Sequence, residues 1–210
     1  MYIVKNYLSY YERRSYMKDN FTELLMALDC TAYIDEQREN AVKALKGFIS
    51  GKKKSSNEVN ATILKYTGSH SVAFENKPVA KIKPTDYDIP LDYTGACAML
   101  DAAQYLMNKA GERYTDTPEE ERPSHVVMII TVFGRDNASK TCTYEKLKEM
   151  IAHQRDIYKW KFYLITDFSI NMEKLGIDED DTIIVKKSEK DWFKEPFKAL
   201  GEMVEEHIKD

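Results

Sequence analysis

Apolar runs bounded by polar turns alternate along this chain with stretches whose apolar positions recur every three or four residues. Val126 to Ile130 is an unbroken apolar run rich in β-branched residues, with Pro123 and Ser124 before it and the polar loop Gly134-Arg135-Asp136-Asn137 after it. Such a run suits a strand buried on both faces of a parallel sheet. Residues 21–29 repeat the pattern through Leu24, Leu25, Met26, Ala27 and Leu28, then turn sharply polar at Asp29-Cys30-Thr31. Residues 160–166 and 181–186 predict two further strands. In residues 58–67, Val59, Ala61 and Ile63 alternate with polar residues, as at a sheet edge. Residues 70–83 read as another strand region, with Glu75-Asn76-Lys77-Pro78 as its turn and Pro84 as its end.

Helical spacing predicts the remaining elements. Val42, Leu45 and Ile49 stripe residues 35–50, and Gly51 is in place to stop that helix. Met99, Ala102, Ala103, Leu106 and Ala110 stripe residues 95–111; Tyr144, Leu147 and Ile151 stripe residues 143–158. A short helix over 170–175 closes at Gly176, and Phe193, Phe197, Leu200, Val204 and Ile208 mark a last helix over 191–208. Strands alternating with helices imply an α/β, doubly wound, mainly parallel sheet of about six strands, with one antiparallel edge strand and helices on both faces. Residues 1–20 form a tyrosine-rich arm or helix (Tyr2, Tyr7, Tyr10, Tyr11, Tyr16), and residues 21–210 a single domain without an internal linker. In open sheets of this kind ligands collect at the carboxyl ends of the strands. The loops 29–33, 93–97 and 131–137 are therefore expected to meet as a functional rim.

Size and charge narrow the function. A chain of 210 residues with 43% hydrophobic content makes one ordinary α/β domain, burying roughly 70% of its unfolded surface. A net charge of -4, with lysines scattered among acids, offers no electrostatic case for nucleic acid. No run approaches the roughly 20 apolar residues of a membrane span, and Lys5, Glu12, Arg13 and Arg14 interrupt any leader-like apolar stretch. Cys30, Cys97 and Cys142, odd in number and sparse, suit reduced thiols. A soluble cytoplasmic protein is expected. Phosphate-cradling motifs are absent, and no C-x-x-C or H-x-x-x-H spacing points to zinc. Cys97 lies near a predicted helix start, which lowers a thiol pKa. A nucleophile also needs a base, and His70, His125, His153 and His207 form no paired motif with it, so a small buried cysteine is the better account.

Several short segments in order resemble the von Willebrand factor A domain family across nearly all of residues 21–176. They are FENKPVAKIKP, DYTGACAMLDA, VVMIITVFGRDNAS and HQRDIYKWKFYLITD, with KLGI following. They look like the intracellular bacterial and phage members, which carry GxTALxDA, TDGxENAS and WxF segments in the same order. The resemblance implies a Rossmann-like fold and a metal-ion-dependent adhesion site. That site takes an Asp and two hydroxyls from a D-x-S-x-S loop, a Thr from the second loop and an Asp from the third. Here Asp29 matches the first Asp and Thr31 the first hydroxyl. Tyr33 replaces the second Ser, Cys97 the Thr, and Val132 or Phe133 the last Asp. Magnesium demands hard oxygen ligands in a near-octahedral shell, and a thiol is a poor substitute. The adhesion site is read as degenerate, with no cofactor and Mg2+ disfavoured.

The expected function is a non-catalytic module binding another protein through Asp29, Thr31, Tyr33, Tyr93, Thr94, Cys97, Phe133, Arg135 and Asp136. One alternative is a divalent-cation-dependent module in which Asp136 joins Asp29 and Thr31. Another is a cysteine-dependent enzyme using Cys97.

Overall fold

The computed structural model describes residues 17–55, 57–87, 95–167, 170 and 172–209. The tyrosines of the arm lie outside the described residues, as do Tyr93 and Thr94 of the expected rim. Six strands form one sheet: β1 (Lys18–Asp29), β2 (Glu58–Tyr66), β3 (His70–Pro78), β4 (Pro123–Val132), β5 (Lys161–Thr166) and β6 (Thr182–Ile184). Their order is β3-β2-β1-β4-β5-β6. Among the described residues only the β2–β3 pair is antiparallel, and β3 is an edge; β2, whose alternation suggested an edge, instead lies between β3 and β1 and is buried beyond Glu58. Five α-helices accompany the sheet among the described residues: α1 (Arg38–Lys52), α2 (Met99–Asp116), α3 (Tyr144–Tyr158), α4 (Met172–Leu175) and α5 (Lys194–His207).

The centre of the sheet explains why its strands read as continuous apolar runs. Leu24 and Met26 of β1 face one layer, with Leu45, Ile49, Phe197 and Leu200 of α1 and α5. Leu25 and Ala27 face the other, with Leu106, Leu147 and Ile151 of α2 and α3. Side chains alternate between faces along a strand, so a strand covered on both sides must be apolar at every position. Each Leu, Ile or Met so buried contributes about 1.5–3 kcal/mol of transfer free energy. Strand order reverses between β1 and β4. The crevice of such a sheet opens there, at the strands' carboxyl ends, and Asp29 and Phe133 stand at that point.

Several boundaries differ from the pattern, four of them for a local reason. Gly51 does not stop α1, which continues through Lys52 because Lys52 Nζ donates to Gly201 O and pairs with Glu205, fastening the last turn to α5. A 3-10 segment, Ala32–Gln37, precedes α1 where a single helix is expected. Glu75 to Pro78 is not a turn. β3 runs on through it by a bulge at Asn76 (φ 42°), whose amide donates to Thr62 Oγ1 and whose side chain accepts from Asn60. α2 begins at Met99 rather than Gly95, since Ala98 N donates to Thr67 O and holds the preceding segment extended against β2.

A charged residue of the central strand lies deep in the core. Glu23 of β1, only 1% exposed, accepts from Arg113, from Tyr114 Oη at 2.7 Å and from Thr62 Oγ1 at 3.1 Å; Arg113 also pairs with Glu75. This network joins β1, β2, β3 and α2.

Candidate functional site

Asp29 ends β1 and is buried. Its amide donates to Thr131 Oγ1 at 2.8 Å, tying β1 to β4. Its Oδ1 accepts from Thr31 N and its Oδ2 from Phe133 N, both at 2.8 Å. The carboxylate thus bridges the first loop to the third. Burial pushes its pKa above the ordinary carboxylate value, and the hydrogen bonds from Thr31 and Phe133 only partly offset this. Tyr66, at the end of β2 and fully buried, donates its phenol to Thr131 O at 2.6 Å. Three strand ends are stitched together before any loop side chain reaches solvent.

The loop after β4 turns back onto α2. The first amides of a helix lack intrahelical acceptors, and Ala98, at the N-cap of α2, has no side chain to serve them. The loop supplies what is missing. Asp136 Oδ2 accepts from Leu100 N at 2.9 Å, Ser139 Oγ accepts from Asp101 N at 3.1 Å, and Asn137 Oδ1 accepts from Cys97 N at 2.8 Å. Asn137 N and Ala138 N donate in return to Cys97 O. Asp101 then accepts from the amides of Lys140, Thr141 and Cys142. Burial acts upward on Asp101, yet these hydrogen bonds outweigh it and hold its carboxyl below the usual range. The Asp-Asn-Ala-Ser segment is therefore a clamp on α2.

The structure sorts the expected rim residues into two groups. Tyr33 is 49% exposed, and Arg135 is exposed. The Tyr33 ring lies on Gly134, where a Cβ would come within 2.5 Å of its Cε2. Only glycine lets the ring lie that close. Asp29, Thr31 and Cys97 are buried beneath this layer. Phe133 is a correction. It is 1% exposed and packs edge-on against Phe193 at 5.2 Å, so the apolar ring goes to the core and cannot serve as a surface anchor. Cys97 is another. Burial first, then the nearby Asp29 and Asp136 charges, push its thiol up to about 12, reversing the lowering expected from a helix start. Sequence reasoning missed the roles of Tyr66, Asp101 and Gly134. The run of capping residues Asp136, Asn137 and Ser139 was a legible signal, but nothing in sequence showed which helix it caps.

The donor set does not fit the divalent cation of an adhesion site. Both oxygens of Asp29 are held by backbone amides. The buried Thr31 hydroxyl lies beside them as a second hard oxygen, but two such groups do not make an octahedral shell. Both oxygens of Asp136 are engaged by Leu100 N and by Ser139, and so face α2. Among the described residues no group of three or more His, Cys, Asp or Glu is placed to hold a metal.

No family model matches the sequence, and no curated protein matches it. Solved structures do match by fold. The chain resembles proximal thread matrix protein 1 from the mussel byssus at 13% identity and TM-score 0.61, over 90% of this chain and 46% of that one. A form of that protein described as having a zinc-occupied MIDAS motif matches at 12% identity and TM-score 0.61, over 90% of this chain and 48% of that one. A von Willebrand factor type A structure from Catenulispora acidiphila matches at 14% identity and TM-score 0.60, over 88% of this chain and 42% of that one. The chain spans about half the length of the structures it matches. With the strand order and the helices on both faces, these likenesses give it a Rossmann-like fold of von Willebrand factor A type.

Proposed function

We propose that this chain is a non-catalytic module that binds another protein through the carboxyl-edge rim, with no obligatory metal. The observation that carries the reading is the use made of the carboxylates. Asp29 spends both oxygens on the amides of Thr31 and Phe133, and Asp136 spends both on α2 and Ser139. Groups that would ligate a cation instead lock the loops. A rigid rim is thereby presented with Tyr33 seated on Gly134 and Arg135 beside it. Tyrosine and arginine are the side chains that most often anchor protein interfaces, and locked loops lower the ordering cost of binding. The likeness to the zinc-bearing mussel protein is one of fold, and the reading is supported by Tyr33, Cys97 and Val132 or Phe133 standing where the adhesion site's second Ser, its Thr and its last Asp would be.

Thermal unfolding with and without millimolar magnesium or manganese tests the reading. A ligand at 100 times its Kd stabilises a folded protein by about 2.7 kcal/mol, a shift of several degrees for a domain of this size. A shift below about 1 °C is expected. A saturable shift of several degrees, lost in Asp29→Ala, would overturn the metal-free reading.

A further inference from the structure

α1 and α5 lie side by side on the face of the sheet opposite α2 and α3, and they run in the same direction. Gln37 Nε2 donates to Lys190 O near their starts, and Lys52 Nζ to Gly201 O further along. On their solvent side is a groove with a cavity volume of about 860 Å³. Ala44, Gly47, Phe48, Gly51, Phe197 and Gly201 form its floor. Phe48 and Phe197 meet edge-on beneath it, with ring centroids 6.1 Å apart. The glycines have no internal explanation. Glycine within a helix destabilises it relative to alanine, and a Cβ on Gly47 or Gly51 would meet nothing within 4 Å. Packing among the described residues does not require them; they keep the floor low.

The groove is also electrically polar. Lys43, Lys194 and Lys198 stand toward the end where both helices begin; Lys194 also pairs with Glu195 at 3.8 Å, and Asp191 there accepts through one oxygen from Phe193 N and Lys194 N, leaving this end with a net positive lining. Glu202 and Glu206 stand toward the other end, where Glu205 is paired with Lys52 and Lys209 also lines the groove. The dipoles of two parallel helices add to this polarity in the same sense, positive at their starts.

We propose that the groove is the docking site for an amphipathic helix of a partner protein, laid antiparallel to α1 and α5. Its apolar face, of small and medium side chains, lies on the glycine floor. Acidic residues in its last turns meet Lys43, Lys194 and Lys198, and basic residues in its first turns meet Glu202 and Glu206. An antiparallel course also opposes its dipole to the two beneath it. This surface lies along a helical layer and does not depend on the rim reading.

Two synthetic 18-residue helical peptides of identical composition test the proposal by fluorescence anisotropy on the full chain. Both have an Ala/Leu face; one places arginines first and glutamates last, the other reverses them. The first is expected to bind saturably and at least tenfold more tightly than the second, and Gly47→Leu to abolish the difference. Gly47→Ala and Gly51→Ala are expected to raise the melting temperature while weakening the same peptide. Equal binding of the two peptides, or binding undiminished by Gly47→Leu, would overturn the proposal. So would a fall in melting temperature for both alanine variants. Tighter binding of a peptide copying residues 1–16, or concentration-dependent self-association lost in Gly47→Leu, would assign the groove to this chain itself and equally overturn it.

Discussion

Asp29 is held in place by the amides that burial forces it to serve. Because its pKa in the folded state is raised, the folded protein keeps this proton better than the unfolded chain. The contribution is fully present below the unfolded value and is lost as pH rises through the folded one. A carboxamide has one oxygen, so Asp29→Asn leaves one of the Thr31 and Phe133 amides without an acceptor. A loss of about 1–3 kcal/mol is expected, measured by urea unfolding, and the gap to the parent should narrow between pH 4 and pH 7. A gap that widens would contradict the sign. The cysteines give a second measurement. Burial, the largest cause in each, pushes Cys30 and Cys97 up to about 12 and Cys142 to about 11. With so little thiolate, all three should react with a disulfide reagent at neutral pH at least tenfold more slowly than in the denatured chain. A fast-reacting Cys97 would restore the enzyme reading. At this scale residue type was legible and direction was not. Asp29 as a rim acid is readable from the sharp end of its apolar run, whereas Phe133 turns inward only because Phe193 from a distant helix covers it.

Among the elements, the clamp between the third loop and α2 matters most. Asp136→Ala removes a cap supplied from 36 residues away and should cost about 1–2 kcal/mol. Hydrogen exchange at the Leu100 amide is expected to accelerate well before the sheet exchanges. Unchanged protection there would show that the cap is dispensable. Strand and helix identities follow from periodicity, but the edge does not: the alternation of Val59, Ala61 and Ile63 falls on β2, which β3 covers. Nor do the ends of the elements. Lys52 prolongs α1 past Gly51 by a bond to α5, and Asn60 and Thr62 keep β3 extended across an apparent turn. Such endpoints depend on partners far away in sequence, which local pattern cannot name.

Across the whole molecule, the buried Glu23 network binds the half of the sheet remote from the rim. Arg113→Met would leave Glu23 without its cation. Removing one partner of a buried pair costs about 3–5 kcal/mol, and the fall in the urea midpoint measures it. A change below about 1 kcal/mol would class the pair with surface ion pairs. No helix among the described residues is long and apolar enough to cross a membrane. The fold class and the mixed six-stranded sheet were determined by the sequence alone, because continuous apolar runs and 3.6-residue stripes are properties of the chain itself. The rim's working surface was decided only by tertiary structure. Asp29 and Asp136 are ordinary acids until folding sets backbone amides against their oxygens, and Gly134 is an ordinary loop glycine until Tyr33 lies upon it.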